Sequence, residues 1–296
     1  MKYIKQTWSQ FSVDEGFMMA AALSYYTLFS IAPLLVIVIA VVGFISQSSG
    51  LEEEMFNQLS TLLGANQSEE LRSMVANARL NESGIAATVI SGVTLIIAAT
   101  AVVIQLKNTL NRAWNVTKDP ELGFKSLFVD RLISLGFLLG LGFVFLVSLG
   151  LNAIAMVMTN QIQVLLPELG GTTFLIISML IGFLVTYVLF YLLFRFLPDA
   201  KIFNKDLLVG ALVTTIMFTI GKFAIGFYLS SSDIGNAFGS AGALASFMIW
   251  VYYNAVILIM GAEFTQVYTL NQNREVHPTD QSVKVKRVLK DETAKA

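Results

Sequence analysis

The sequence predicts an all-α, polytopic membrane helix bundle with six transmembrane helices and both ends on the cytoplasmic side. Composition is the first ground. Of 296 residues, 55% are hydrophobic and 13% are charged, whereas a soluble domain has roughly 25% charged residues. So few charges cannot cover a water-facing surface, so lipid is expected to cover much of it. Segmentation is the second ground. Apolar runs recur at about 17–46, 84–106, 132–158, 173–197, 207–230 and 243–269, each near or above the roughly 20 residues that span a bilayer as a helix. They are continuous and do not alternate with period two, which speaks against a membrane β-barrel.

The third ground is the distribution of basic residues. The N-terminus holds two, the second connection five, the fourth connection three and the tail six, so sixteen of the nineteen lie on one side of a six-span path. Arg72 and Arg79 are the only basic residues in the odd-numbered connections, and Lys222 lies within a span. Lysine and arginine mark the cytoplasmic side, and removing or adding a span would scramble the alternation.

The first run, 17–46, contains Pro33. Proline removes a helical hydrogen bond and crowds the carbonyl four residues back, so a kink or break is expected near Phe29. Ser24, Thr27 and Ser30 precede it at helical spacing and, with Tyr25 and Tyr26, make a polar half-helix. Transporters bind substrate at such interruptions, although many spans carry a proline without that role. The outer connection 47–83 reads as two short amphipathic helices. One carries Leu51, Met55, Phe56, Leu59, Leu62 and Leu63; the other carries Leu71, Met74, Val75 and Ala78, with Ser68 as its expected N-cap. They either cover the bundle or serve as a gate or receptor. In the second connection, 107–131, Trp114, Phe124 and Phe128 are candidate headgroup anchors. The stretch Gly235 to Ala243, including Asn236, Gly239 and Gly242, joins the fifth and sixth spans with small residues that permit close backbone approach. It either packs against a neighbouring helix or lines an outer cavity. Residues 1–270 therefore read as the membrane domain. Residues 271–296, polar and poor in aromatics, read as a disordered cytoplasmic tail.

Charges inside a membrane are costly and are functional candidates. Two are expected here, Lys222 in the fifth span and Glu263 in the sixth. They lie on the order of 15 Å apart in depth at 1.5 Å rise per residue, too far for a direct pair between straight helices. Glu263 is either a functional carboxylate or half of an ion pair with Arg112, Arg131 or Arg195. Lys222 is expected to snorkel toward Asp233.

Several function classes are disfavoured. The net charge of −1 offers no field for nucleic acid, and the absence of cysteine with a single histidine, His277, leaves no cysteine or histidine-rich metal site. No Walker sequence, His-Glu-x-x-His or serine–histidine arrangement is present. No cofactor and no enzymatic activity are expected. The expected partners are membrane lipids and a small solute or lipid cargo. Small residues on several spans suit either a tight monomer or a homo-oligomer.

Three stretches together resemble the YihY/BrkB family of bacterial inner-membrane proteins. They are Ala20 to Leu35, Leu110-Asn111-Arg112-Ala113-Trp114-Asn115-Val116, and the region from Phe238-Gly239-Ser240-Ala241-Gly242 through Trp250-Val251-Tyr252-Tyr253 to Gly261-Ala262-Glu263-Phe264. The match covers about residues 1–270. The resemblance implies a multi-pass protein of the bacterial plasma membrane, without an established reaction. Members formerly carried a ribonuclease BN label, for which this sequence offers neither a nuclease-type metal cluster nor a nucleic-acid surface. Transport of a solute or lipid is the leading expectation, and a non-transporting envelope scaffold is the alternative. For transport, Glu263 is the candidate coupling or gating carboxylate and Ser24, Tyr25, Asn236 and Tyr252 are cavity candidates. Pro33, Gly239, Gly242, Lys222 and Arg112 complete the candidate set.

Overall fold

The computed structural model describes residues 2–45, 84–123, 129–140, 142–144, 147, 170–232 and 241–285, with isolated positions between 53 and 73. Among the described residues the architecture is carried by the helices α1 (Lys2–Val13), α2 (Gly16–Ile45), α3 (Gly84–Ala113), α4 (129–140), α5 (Gly170–Phe196), α6 (Asn204–Ser231) and α7 (Gly242–Asn271). Four segments among the described residues are long and apolar enough to cross a membrane: Val93–Ala113, Met179–Phe196, Asn204–Leu229 and Leu244–Asn271. Helix α2, 30 residues long, has a shorter qualifying stretch, Gly16–Ile31. The expected third span begins with α4, and most of its remainder lies outside the described residues. The expected break near Phe29 does not occur: α2 runs as a helix without interruption from Gly16 to Ile45, with Pro33 inside it.

Helix α7 is the hub, packing on α1, α2, α3 and α6. Its seam with α6 is built from two Gly-x-x-x-Thr units, Gly210 to Thr214 and Gly261 to Thr265. A Cβ at Gly210 would collide with the Thr265 side chain, and one at Gly261 with Thr214. Each threonine hydroxyl donates to the glycine carbonyl four residues back in its own helix, Thr214 at 2.7 Å and Thr265 at 2.8 Å. Both hydroxyls are thus satisfied internally, and the backbones approach closely in the manner of small-residue membrane contacts. Further along, Gly221 faces Ile257 and Tyr253, which fixes an antiparallel register.

Helix α1 meets α2 at a sharp corner. Glu15 adopts φ 58°, a left-handed conformation. A Cβ at Gly16 would enter the Phe11 ring, so only glycine lets this buried ring close the corner. Phe11 also stands edge-on to Phe17, with ring centroids 4.9 Å apart.

Residues 272–285 correct the expectation of a tail disordered from 271 onward. Strand β3 (His277–Pro278) pairs antiparallel with β2 (Ala200–Lys201), and β4 (Ser282–Lys284) pairs with β1 (Val116–Lys118). Val285 N–H donates to the Asn115 carbonyl at 2.8 Å, and Thr279 N–H to the Asp199 carbonyl at 3.0 Å. Such short strands have no periodicity to read. Their order comes from backbone groups supplied by segments distant in sequence. Residues 286–296 lie outside the described residues.

In the outer connection the eight described positions are all helical. Arg72 joins the two expected helices through paired hydrogen bonds of 3.1 Å to Glu53 and lies 4.8 Å from the Phe56 ring centroid. Hydrogen bonding and charge from Arg72 hold the Glu53 carboxyl below its ordinary range. Ser68 is itself helical, and its hydroxyl donates to the Phe56 carbonyl at 2.9 Å, so it staples one helix to the other.

Candidate functional site

Two polar assemblies stand out. The first is Glu263. The Gly261–Thr265 seam commits one side of α7 to α6, so Glu263, midway between those two residues, turns to the side where α1, α2 and α3 pack. Glu263 is 0% exposed, and among the described residues neither carboxylate oxygen has a hydrogen-bond partner. The expected partners are engaged elsewhere. Arg112 pairs with Glu15, and Arg131 donates to the Ile97 carbonyl at 2.8 Å and to the Thr100 hydroxyl. Arg195 is exposed. The ion-pair reading of Glu263 is therefore corrected. Gln266, one turn on, is also buried with an unsatisfied Oε1. An unpartnered buried carboxylate is costly, far more so when ionised, and packing alone gives no reason for one here.

The second assembly lies at the basic end, where α3, α4 and the link from α5 to α6 meet. Lys107, its side chain 5% exposed, bridges Asp130 and Asp199 at 2.8 Å each. Lys118 pairs with Asp130 from the other side. Asn111 donates its amide to Asp199 at 3.0 Å and accepts the Asp199 backbone N–H at 2.8 Å. Burial opposes ionisation of Asp130, but hydrogen bonds and charge from Lys107 and Lys118 more than offset it and hold the carboxyl below the ordinary range. A cavity of about 320 Å³ opens beside these groups, rimmed by Asn108, Arg112, Asn115 and Val285. Nearby, Arg274 pairs with Asp206 at 2.5 Å and lies 5.2 Å from the Phe203 ring centroid. Among the described residues, no group of three or more potential metal-ligating side chains is gathered.

The remaining candidates are scattered. Ser24 is buried and donates to the Ala21 carbonyl at 2.8 Å. Tyr25 is 56% exposed and contacts Tyr26 and Phe29, so it faces outward. Pro33 is half-buried within α2, and Gly242 is buried at the start of α7. Tyr252 packs against the core. The Lys222 ammonium lies 5.5 Å from the Phe223 ring centroid. The α6–α7 register sets Lys222 near the level of Tyr253, several turns from Glu263. Asn236 and Gly239 lie outside the described residues, as do Asp233, Phe124 and Phe128. Among the described residues, no side-chain hydrogen bond or ion pair joins two members of the predicted set.

Trp114 corrects another expectation. It is 1% exposed, stands edge-on to Phe194 at 5.8 Å, and donates its indole N–H to the Ala262 carbonyl at 3.0 Å. It is a core tie between α3, α5 and α7, next to Glu263, rather than a headgroup anchor. In the sequence Lys107 counts only among the five basic residues of the second connection, and nothing local singles out Asp130 or Asp199. Their available signal was a lysine at a span end with aspartates at two other span ends on the same side.

Comparison with known proteins agrees with this membrane architecture. The family described as "Virulence factor BrkB" matches residues 7–286, so the match includes the β3–β4 segment. A UPF0761 membrane protein of Psychrobacter sp. (strain PRwf-1) is 24% identical over 90% of this chain and 48% of its own length. Those of Mannheimia succiniciproducens and Alkalilimnicola ehrlichii are 25% and 28% identical, over 84% and 87% of this chain and 83% and 56% of their own. The chain thus spans about half the length of the Psychrobacter and Alkalilimnicola relatives. No solved structure matches. With its family match running from α1 through the β3–β4 strap, the chain belongs to the BrkB family of membrane proteins.

Proposed function

We propose that this protein is a transporter or flippase-like protein of the bacterial plasma membrane, moving a solute or lipid without an ATPase of its own, with both termini cytoplasmic. The observation that carries the reading is Glu263: a fully buried carboxyl with both oxygens unpartnered, in an apolar helix long enough to span the membrane. Such a group is retained at a cost, and coupling or gating is the use that needs one. The gathering of basic residues at one end supports the orientation.

Native mass spectrometry of the protein released in mild detergent, beside Glu263→Gln, tests the proposal. A defined lipid or solute held by the wild type and weakened in a correctly inserted variant is the expected result. Equal retention by both removes Glu263 from the mechanism. A second reading, a non-transporting envelope scaffold, is favoured by the paired charges beside the cavity, which form a closed structural network. A scaffold would keep a protein partner in Glu263→Gln and lose it when residues 51–80 are replaced.

A further inference from the structure

We propose that α1 is an interfacial membrane anchor, with Ile4 and Trp8 seated among lipid acyl chains and Lys2 and Lys5 facing the anionic headgroup layer. The inference does not depend on the transport reading. It begins with the helix surface. Thr7 and Phe11 are buried. Ile4 and Trp8, one turn apart and adjoining that buried side, are 73% and 51% exposed. Lys2, Lys5, Ser9 and Ser12 form the other, exposed side, with one apolar residue, Val13, at the last turn. The apolar arc is thus wider than the contact it makes with the protein, and among the described residues Ile4 and Trp8 keep half or more of their surface exposed.

The surplus is continuous with the membrane-facing surface of α2. Trp8 stacks on Phe11 at 5.9 Å and meets Phe17 edge-on at 6.1 Å. Phe17 and Met18, the next residues of the apolar α2, are 48% and 62% exposed. Ile4, Trp8, Phe17 and Met18 therefore make one ledge that turns the corner from α2 onto α1. The corner is closely packed, because Phe11 fills the space over Gly16. The other end of α1 is tied to the last turns of α7: Tyr3 lies 6.4 Å from Phe264 and 6.1 Å from Tyr268, and Asn271 donates to Gln6 at 2.9 Å. A helix tied to the last turns of a spanning helix, with tryptophan and isoleucine on one side and lysines on the other, has the amphipathic pattern of a helix lying in the interface. Tryptophan suits that depth because its ring is amphipathic.

The chain has no cysteine, so single-cysteine variants of the full-length protein can be spin-labelled without altering the background. Labels are placed by Ile4→Cys and Trp8→Cys on one side, and by Lys5→Cys, Ser9→Cys and Ser12→Cys on the other. The protein is reconstituted in phosphatidylethanolamine–phosphatidylglycerol vesicles. Collision with oxygen, which concentrates in lipid, is compared with collision with a water-soluble nickel chelate. A several-fold higher oxygen-to-nickel ratio at 4 and 8 than at 5, 9 and 12 is expected. Equal nickel access at all five overturns the proposal, because the ledge would then be in water. Exclusion of both reagents at 4 and 8 also overturns it, because protein, such as a second copy, would then cover the ledge. If Trp8→Cys does not fold, Ile4→Cys and Met18→Cys, at strongly exposed positions, give the same decision.

Discussion

Replacing Lys107 with methionine removes the cation shared by Asp130 and Asp199 while retaining much of its apolar stem. The two carboxylates would not suffer equally. Asp130 keeps Lys118, whereas among the described residues the Asp199 carboxylate keeps only the Asn111 amide, at 3.0 Å. The three side chains are 5%, 12% and 11% exposed, so water can replace little of the lost charge. Breaking a buried pair by deleting one partner costs about 3–5 kcal/mol. The surviving Lys118 contact places the expected loss near the lower end, about 3 kcal/mol. Unfolding in mixed micelles titrated with dodecyl sulfate, followed by circular dichroism, would measure it. The Lys107→Met/Asp199→Asn double variant should regain part of the loss, with a coupling of about 1–3 kcal/mol. A Lys107→Met protein within about 0.5 kcal/mol of wild type, or strictly additive losses, would refute the claim that these groups act as one buried network.

Three further outcomes follow from the same geometry. Asp130 has a depressed folded pKa, so its stabilisation is present above the unfolded value of about 3.9 and disappears as pH falls through the folded value; Asp130→Asn should flatten the acid limb of a stability–pH curve, and an unchanged slope counts against the assignment. Gly210→Ala should destabilise by about 1–3 kcal/mol through overpacking against Thr265 and regain stability when combined with Thr265→Ala, which thermal unfolding of both variants would show. Trp114→Phe removes the indole donor from the Ala262 carbonyl, which keeps its intrahelical bond within α7, and should cost about 0.5–1.5 kcal/mol, read by the same unfolding titration, while an unperturbed protein would argue against Trp114 as the tie between α3 and α7.

Local composition was sufficient for the membrane class and for the strongest spans, because burial in lipid demands a contiguous apolar run that any window along the chain reveals. The two Gly-x-x-x-Thr units were also open to inspection, although their pairing required the α6–α7 register. Glu263 was recognisable as a charge inside an apolar run, but its lack of a partner was not, because the partner of a charge is set by rotamers and helix rotation. The same limit explains why Arg112 turned to Glu15 and Trp114 to Ala262, and why Tyr25 faces outward while Ser24 bonds to its own helix. Residues 272–285 show the limit most clearly. Their polar composition lacks any local drive to order, and only the folded chain brings Asn115, Val116 and Ala200 close enough to satisfy their backbone groups. Membrane solvation acts residue by residue and is written along the sequence; hydrogen-bond satisfaction acts between distant residues and is decided only when the bundle closes.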